Sequence, residues 1–264
     1  ENENIRPSET IKEGKIEAFA ECDGYFEVDV DRLDEINSVD EIMIATRNGS
    51  TAVKKGDKLA GMRVIPLIVK EEKLLTAEKI FDGKPILKLT PYKLKTAAVI
   101  TTGSEVFKGI IKDTFTPVIE EKLKNYGIEM KWHMVVDDGI ENIRKAIEEA
   151  RSYKPDMILC TGGMSVDPDD NTPGAIKESG AQIITYGAPV LPGAMFLLGY
   201  YDDGTPVMGL PGCVMYAGAT VFDLILPKAA AGIKVSKKDI VKLGNGGLCL
   251  GCAECRYPVC PFGK

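Results

Sequence analysis

Between residues 96 and 231, short apolar runs alternate with longer segments of helical spacing. Ala97-Ala98-Val99-Ile100 and Met157-Ile158-Leu159-Cys160 are continuous apolar runs, as expected of strands buried on both faces. Ile128, Met130, Trp132, Met134 and Val136 alternate along a third strand. That alternation points Trp132 to the core and puts His133 on the polar face as a surface residue. Gln182 to Tyr186 predicts a further strand, and Ala194 to Tyr200 with Pro206 to Leu210 predicts a hairpin around Asp202-Asp203-Gly204. The segments between read as helices. One is capped by Asp113 or Thr114 and runs to Asn125, with Pro117 early and Gly127 just past its end. Glu120, Glu121, Lys122 and Lys124 form its solvated face. A second helix starts at Ile140 and carries Ile143, Ile147 and Ala150 on one stripe. A third opens at Thr172-Pro173 and stops at Gly180, and a last one covers Val214 to Leu226. Strands separated by helices need crossover connections, so this region predicts an α/β domain with a mostly parallel sheet.

The pattern changes on either side. Residues 1–93 predict a smaller β-rich unit. Ile16 to Val30 is broken at Gly24, and Glu41 to Thr46 ends at the turn signal Asn48-Gly49. Lys54-Lys55-Gly56-Asp57 is another turn, and Met62 to Val69 is strand-like through Val64, Ile65, Leu67, Ile68 and Val69. The charged connection from Lys70 to Lys95 is partly helical, carries Pro85 and Pro91, and marks the boundary. Residues 94–231 form the α/β domain, and 232–264 read as a Cys-rich tail.

Charge narrows the classes of partner. The 264 residues hold 33 Lys and Arg against 39 Asp and Glu, a net charge of −6, which disfavours a polyanionic duplex as partner. No apolar run approaches the roughly 20 residues that span a bilayer. No basic segment followed by an apolar one opens the chain, so no secretory leader is expected. Seven cysteines, an odd number, argue against a disulfide scaffold and for a reducing cytoplasm.

In an open parallel sheet, ligands bind beyond the carboxyl ends of the strands. The residues that follow each predicted strand are therefore the candidate site. They are Thr101-Thr102-Gly103-Ser104-Glu105, then Asp137-Asp138-Gly139, then Thr161-Gly162-Gly163-Met164-Ser165 running on through Val166-Asp167-Pro168-Asp169-Asp170, then Pro211-Gly212. Glycines without a Cβ let backbone amides approach an anion, and the helix start at Thr172-Pro173 adds a positive end. Glu105, Asp113, Asp138 and Asp170 bring carboxylates to the same edge. Acids beside an anion cradle need a cation between them, and Mg²⁺ held by carboxylates and substrate phosphates meets that need. These residues alone point to a Mg²⁺-dependent site for a phosphorylated small molecule.

The set Thr101-Thr102-Gly103-Ser104-Glu105, Asp113, Asp138, Thr161-Gly162-Gly163-Met164-Ser165 and Asp170-Asn171-Thr172-Pro173 resembles the molybdopterin-binding domain of molybdenum-cofactor biosynthesis over about residues 94–231. The resemblance implies a three-layer fold, with helices on both faces of the sheet, that binds the molybdopterin phosphate and pterin beyond the strand ends. It implies one of two activities. One is adenylylation of molybdopterin with Mg-ATP. The other is a molybdenumtransferase step in which adenylylated pterin and molybdate yield the finished cofactor and AMP. It implies that Asp138 and Asp170 are catalytic or metal-binding, and Glu105 matches the glutamate of the transferase pattern. Thr102, Gly103, Ser104, Asp113, Thr161, Gly162, Gly163, Ser165, Pro211 and Gly212 would hold the substrate, and the assembly would be a homo-oligomer, a dimer or trimer. The chain departs from the transferase pattern in two places. Pro192-Gly193 is flanked by Leu191 and Ala194 instead of lysines, and Leu210-Pro211-Gly212-Cys213-Val214 replaces Leu-Pro-Gly-Asn-Pro. A pterin-binding sensor or carrier without turnover is therefore the competing reading, and a domain for another nucleotide-like phosphate a third.

Cys249, Cys252, Cys255 and Cys260 crowd the tail, spaced as Cys-x2-Cys-x2-Cys-x4-Cys and followed by Pro261. Consecutive Cys-x2 steps predict a metal centre, an iron–sulfur cluster ahead of zinc.

Overall fold

The computed structural model describes residues 3–11, 13–66, 68–165, 167 and 170–264. It divides into two compact units, Glu1–Tyr92 and Lys93–Lys264. No helix among the described residues is long and apolar enough to cross a membrane.

The first unit contains β1 (Ile5–Pro7), β2 (Lys15–Ala20), β3 (Gly24–Val28), α1 (Val30–Asn37), β4 (Ile42–Thr46), β5 (Thr51–Val53), β6 (Lys58–Val64), α2 (Glu71–Phe81) and β7 (Leu87–Pro91). Its strands form two antiparallel sheets, ordered β1-β2-β6-β4 and β5-β3-β7. Ala20, Phe26, Val53, Leu59 and Leu89 make a small buried core. Two expectations change here. The strand-like run from Met62 ends at Val64, beyond which Ile65 and Ile68 are exposed. Leu67 of that run lies outside the described residues. Val30 to Asn37 is a helix that the apolar pattern hid, and Asp29 caps it by accepting from the Arg32 amide at 3.2 Å.

The second unit contains β8 (Thr96–Thr102), α3 (Ser104–Phe107), α4 (Phe115–Lys124), β9 (Glu129–Val136), α5 (Ile140–Ser152), β10 (Met157–Thr161), α6 (Thr172–Glu178), β11 (Gln182–Tyr186), β12 (Leu197–Tyr200), β13 (Pro206–Leu210), α7 (Val221–Ala230) and α8 (Lys237–Lys242). One mixed sheet runs β11-β12-β13-β10-β8-β9. The pairs β13·β10, β10·β8 and β8·β9 are parallel, whereas β12 pairs antiparallel with both β11 and β13. The antiparallel edge follows from the β12–β13 hairpin, whose tight connection cannot return a parallel strand. Ala98, Ile100, Ile158, Cys160 and Val207 share one buried cluster with Ile143, Ala146, Ile147 and Ala150 of α5 and with Ala175 and Ile176 of α6. The helical stripe read from the sequence is thus the stripe that covers the sheet. Burial pushes the Cys160 thiol up to about 12, so this cysteine behaves as a core hydrophobe.

Two further expectations are corrected. The segment Val214 to Leu226 is not one helix. A 3-10 turn, Gly212–Met215, precedes α7, and Thr220 with Asp223 forms a capping box that restarts the chain. Lys122 is not solvated: its Nζ lies 2.5 Å from Asp223 Oδ1, with both side chains largely buried. Residues 232–264 pack on the same unit. Ser236 and Asp239 cap α8, Lys228 pairs with Asp239 at 2.8 Å, Leu191 bridges to Leu248, and Phe262 is buried.

Ile147 is fully buried between α5 and the sheet. Ile147→Ala should cost about 2–5 kcal/mol through lost burial and a residual cavity. Urea unfolding followed by circular dichroism checks this; an unchanged midpoint would mean that the packing described for this helix is wrong.

Candidate functional site

The parallel registers set four chain segments level at one edge of the sheet. Thr161 lies opposite both Thr101 and Leu210, and Thr102 lies opposite Val136. The residues that leave these strands, Gly103, Asp137, Gly162 and Pro211, are therefore neighbours along the strand tips.

The third loop is shaped by steric necessity. Gly162 has φ +85°, and a Cβ there would lie 2.3 Å from the Thr102 carbonyl oxygen. Gly163 has φ +54°, and its Cβ would lie 2.8 Å from Thr172 Oγ1. Only glycine serves both positions. The contacts continue into the following helix. Thr172 Oγ1 donates to the Gly162 carbonyl at 2.9 Å and lies 3.3 Å from Thr102 Oγ1. Asn171 Nδ2 donates to the Asp138 carbonyl at 2.8 Å, and the Ser104 amide donates to Asp138 Oδ2 at 2.8 Å. Thr102, Ser104, Asp138, Gly162, Asn171 and Thr172 are therefore linked through hydrogen bonds and the Asn171-Thr172 step of the chain, with Gly163 packed against Thr172 and Asp170 next to Asn171.

Within that cluster the roles differ from the sequence expectation. The amides of Gly103 and Ser104 are committed, the first to the Val136 carbonyl at 3.1 Å and the second to Asp138. The amides of Gly162 and Gly163 have no acceptor among the described residues, so any anion cradle rests on the third loop. Thr161 is fully buried, its hydroxyl directed to the Ile100 carbonyl. Thr102 is buried behind Gly162. Both threonines support the loop from within. The α6 helix is only seven residues long, so its dipole adds little. Val166, Pro168 and Asp169 of the predicted loop lie outside the described residues.

The carboxylates are placed unequally. Asp170 Oδ2 is buried without a hydrogen-bond partner among the described residues. A buried carboxylate oxygen without a donor is costly, so this atom marks a position that a cation or donor would satisfy. Asp138 Oδ2 is held by Ser104, and its Oδ1 has no hydrogen-bond partner among the described residues. Glu105 is exposed on α3. Asp113 does not face the loop with these acids. Its Oδ1 accepts from the amides of Phe115 and Thr116 at 2.9 and 3.0 Å, capping α4. Ser165 is exposed, Pro211 is buried at the end of β13, and Gly212 opens the 3-10 turn.

Tyr186 was not found from the sequence. It ends β11, and its hydroxyl lies 3.2 Å from the Ser165 carbonyl and 3.4 Å from that of Met164. Burial first, and the Asp170 charge second, push its pKa up. An isolated tyrosine at the end of an edge strand carried no motif to flag it.

The tail cysteines are not brought together. Cys249 and Cys260 are half-buried, Cys252 and Cys255 are exposed, and all four are free thiols. Cys249 is held by its own amide, which donates to the Leu191 carbonyl at 2.8 Å, and Cys255 packs where a Gly218 side chain would stand. Among the described residues, no three His, Cys, Asp or Glu side chains gather to hold an ion. The predicted iron–sulfur or zinc centre thus finds no gathered ligand set among the described residues, and the segment around the cysteines packs against the domain.

The family described as "Probable molybdopterin binding domain" matches residues 98–231. A CinA-like protein of Pseudothermotoga lettingae is 40% identical over 86 residues, covering 33% of this chain and 21% of the relative. A putative competence-damage inducible protein of Bacillus thuringiensis is 35% identical over 95 residues, 36% of this chain and 23% of the relative. The match thus spans about a fifth of the length of these curated relatives. The crystal structure of the molybdopterin biosynthesis enzyme MoaB from Thermus thermophilus superposes with a TM-score of 0.42 at 20% identity, covering 53% of this chain and 98% of that one.

Two outcomes test this geometry. Gly162→Ala should abolish ligand-induced stabilisation, because the backbone of β8 and the loop cannot both keep their places; a thermal-shift titration equal to that of the parent chain would refute the close approach. Asp113 gives a pH test. Burial would raise its carboxyl, but the Thr116 hydroxyl and the Thr116 and Phe115 amides, with His133 nearby, hold it below the usual range. A depressed folded pKa contributes stability above the unfolded value of about 3.9, and that stability is lost as pH falls through the folded value. Asp113→Asn should accordingly be less stable than the parent at pH 7, the gap narrowing below about pH 4. A gap that widens in acid would contradict the assignment.

Proposed function

The chain belongs to the molybdopterin-binding domain family, and on that premise we propose that the strand-tip loops bind molybdopterin, or its adenylylated form, through the phosphate. The observation that carries this reading is the pairing of open amides with an unsatisfied acid. Among the described residues, Gly162 and Gly163 supply N–H groups without acceptors, and the buried Asp170 Oδ2 lacks a donor. The two features are complementary only if an anion and a cation occupy the edge together. Asp138 and Asp170 fit a Mg²⁺ ion of the kind that takes one or two carboxylates and completes its shell with water and substrate phosphate. When bound, the ion would screen the phosphate from the two acids and polarise a phosphoryl oxygen.

The chain's own residues do the positioning. The Gly162 and Gly163 amides orient the phosphate, and Thr102 and Thr172 hold those amides outward from behind. Ser104 fixes one oxygen of Asp138 and leaves the other toward the edge. Tyr186 ties the Ser165 end of the loop to β11. In this reading the reaction class is adenylyl transfer or molybdate insertion, with Asp138, Asp170 and Glu105 as its acids and a nucleotide or molybdate as co-substrate. The three-layer arrangement is supported by the path of the chain. The β8–α4–β9 crossover moves outward and β9–α5–β10 moves back past β8, so right-handed connections would place α4 and α5 on opposite faces.

A second reading, pterin binding without turnover, is favoured by one observation. Leu191 and Ala194 stand where the transferase pattern has lysines, and the tail pairs with that segment through Leu248 and Cys249.

Titration of the protein with molybdopterin, with and without Mg²⁺, followed by turnover assays with Mg-ATP and with adenylylated pterin plus molybdate, separates these readings. Asp170→Asn should weaken the Mg²⁺-dependent part of binding at least about tenfold, the size of one lost charge-assisted contact, with folding intact. Binding without turnover selects the second reading. No binding of any pterin rejects both.

A further inference from the structure

His133 is the chain's single histidine and sits in the middle of β9. As its sequence position predicts, it is an exposed residue, and its Nε2 lies 3.0 Å from Thr101 Oγ1 and 3.0 Å from Thr116 Oγ1. Thr101 is the penultimate residue of β8, beside the loop read as the phosphate site, and Thr116 lies in the first turn of α4. The same two hydroxyls are 3.0 Å apart and both reach Asp113 Oδ2, Thr116 at 2.5 Å and Thr101 at 3.3 Å. We propose that His133 carries a proton on Nε2 and is a positioning residue that latches the end of β8, and with it the phosphate loop, to the start of α4.

The protons decide this. A carboxylate has none to give, and each threonine hydroxyl has one. The short contact commits the Thr116 proton to Asp113. The Thr101 proton can serve Asp113, Thr116 or the imidazole, but only one of them fully. The Thr116–His133 contact then has a proton only if Nε2 supplies it. A bare Nε2 would set two lone pairs against each other at 3.0 Å in a half-enclosed position. With the proton on Nε2, the imidazole donates to both threonine oxygens, Thr116 donates to Asp113, and Thr101 donates to Asp113 or to Thr116, so one of the five contacts lacks a proton where a bare Nε2 would leave three. Asp113 Oδ1 meanwhile caps α4. One network therefore joins β9, β8 and α4.

Its other end is the cradle. Thr102 follows Thr101, and its carbonyl is the atom that leaves no room for a side chain on Gly162. A rotation of Thr101 moves that carbonyl against the loop. The consequence for binding rests on the reading of the edge as a phosphate site; the proton on Nε2 rests on the contacts alone.

Because there is one histidine, two-bond ¹H–¹⁵N correlation spectra of uniformly labelled protein report a single imidazole. The expected result at pH 7.5 is a pyrrole-like Nε2 shift that does not average. A pyridine-like Nε2, or shifts averaged between tautomers, would overturn the assignment. In molybdopterin titrations His133→Ala should bind about three- to tenfold more weakly, the size of a lost hydrogen bond, and His133→Gln, which restores an N–H donor, should recover most of it. Equal affinity of His133→Ala and the parent would overturn the positioning role. If His133→Ala fails to fold, the spectrum of the parent and the Gln variant still decide. If the parent binds no pterin, the site reading fails while the spectrum alone judges the proton.

Discussion

The second unit depends on one close approach, that of Gly162 to the carbonyl of Thr102. A Cβ at that position would meet the oxygen at 2.3 Å. The contact lets the loop after β10 fold back over the end of β8, and everything else at the edge follows. Thr172 can then reach the Gly162 carbonyl, Asn171 can reach Asp138, and Asp138 can accept from Ser104. On its inner side the loop meets the threonine hydroxyls of Thr102 and Thr172.

Much of this was legible in the sequence for a physical reason. Buried parallel strands are continuous apolar runs, and the residues that follow them must turn sharply. Gly162-Gly163 after Met157–Thr161 and Asp137-Asp138 after Glu129–Val136 carried that signal, as did the α5 stripe of Ile143, Ile147 and Ala150. What periodicity could not show was which amides are already used. Gly103 and Ser104 look like cradle residues in sequence, but their N–H groups are consumed by Val136 and Asp138. Tyr186 and His133 escaped because each acts through contacts with residues distant in sequence. The antiparallel pairing of β11 and β12 escaped for a related reason, since edge direction is set by the hairpin connection.

The cysteine tail is a different case. Spacing alone suggested a metal centre, because closely spaced thiols can wrap an ion. The contacts that place this segment are not legible in spacing: backbone pairing with Leu191, the Cys255–Gly218 contact, and the Tyr257 hydroxyl donating to the Asp223 carbonyl at 2.9 Å. They tie the tail to two segments of the same unit, one around Leu191, beside the Pro192-Gly193 where the transferase pattern would place lysines, and one around Gly218–Asp223.

The central claim is that the open amides of the third loop receive the phosphate of a pterin. Backbone amide spectra recorded during a molybdopterin titration test it most directly. The account predicts that the largest shifts fall on Gly162 and Gly163, with smaller ones at Ser104 and Asp138. Shifts that leave Gly162 and Gly163 unmoved while the pterin binds elsewhere would contradict it.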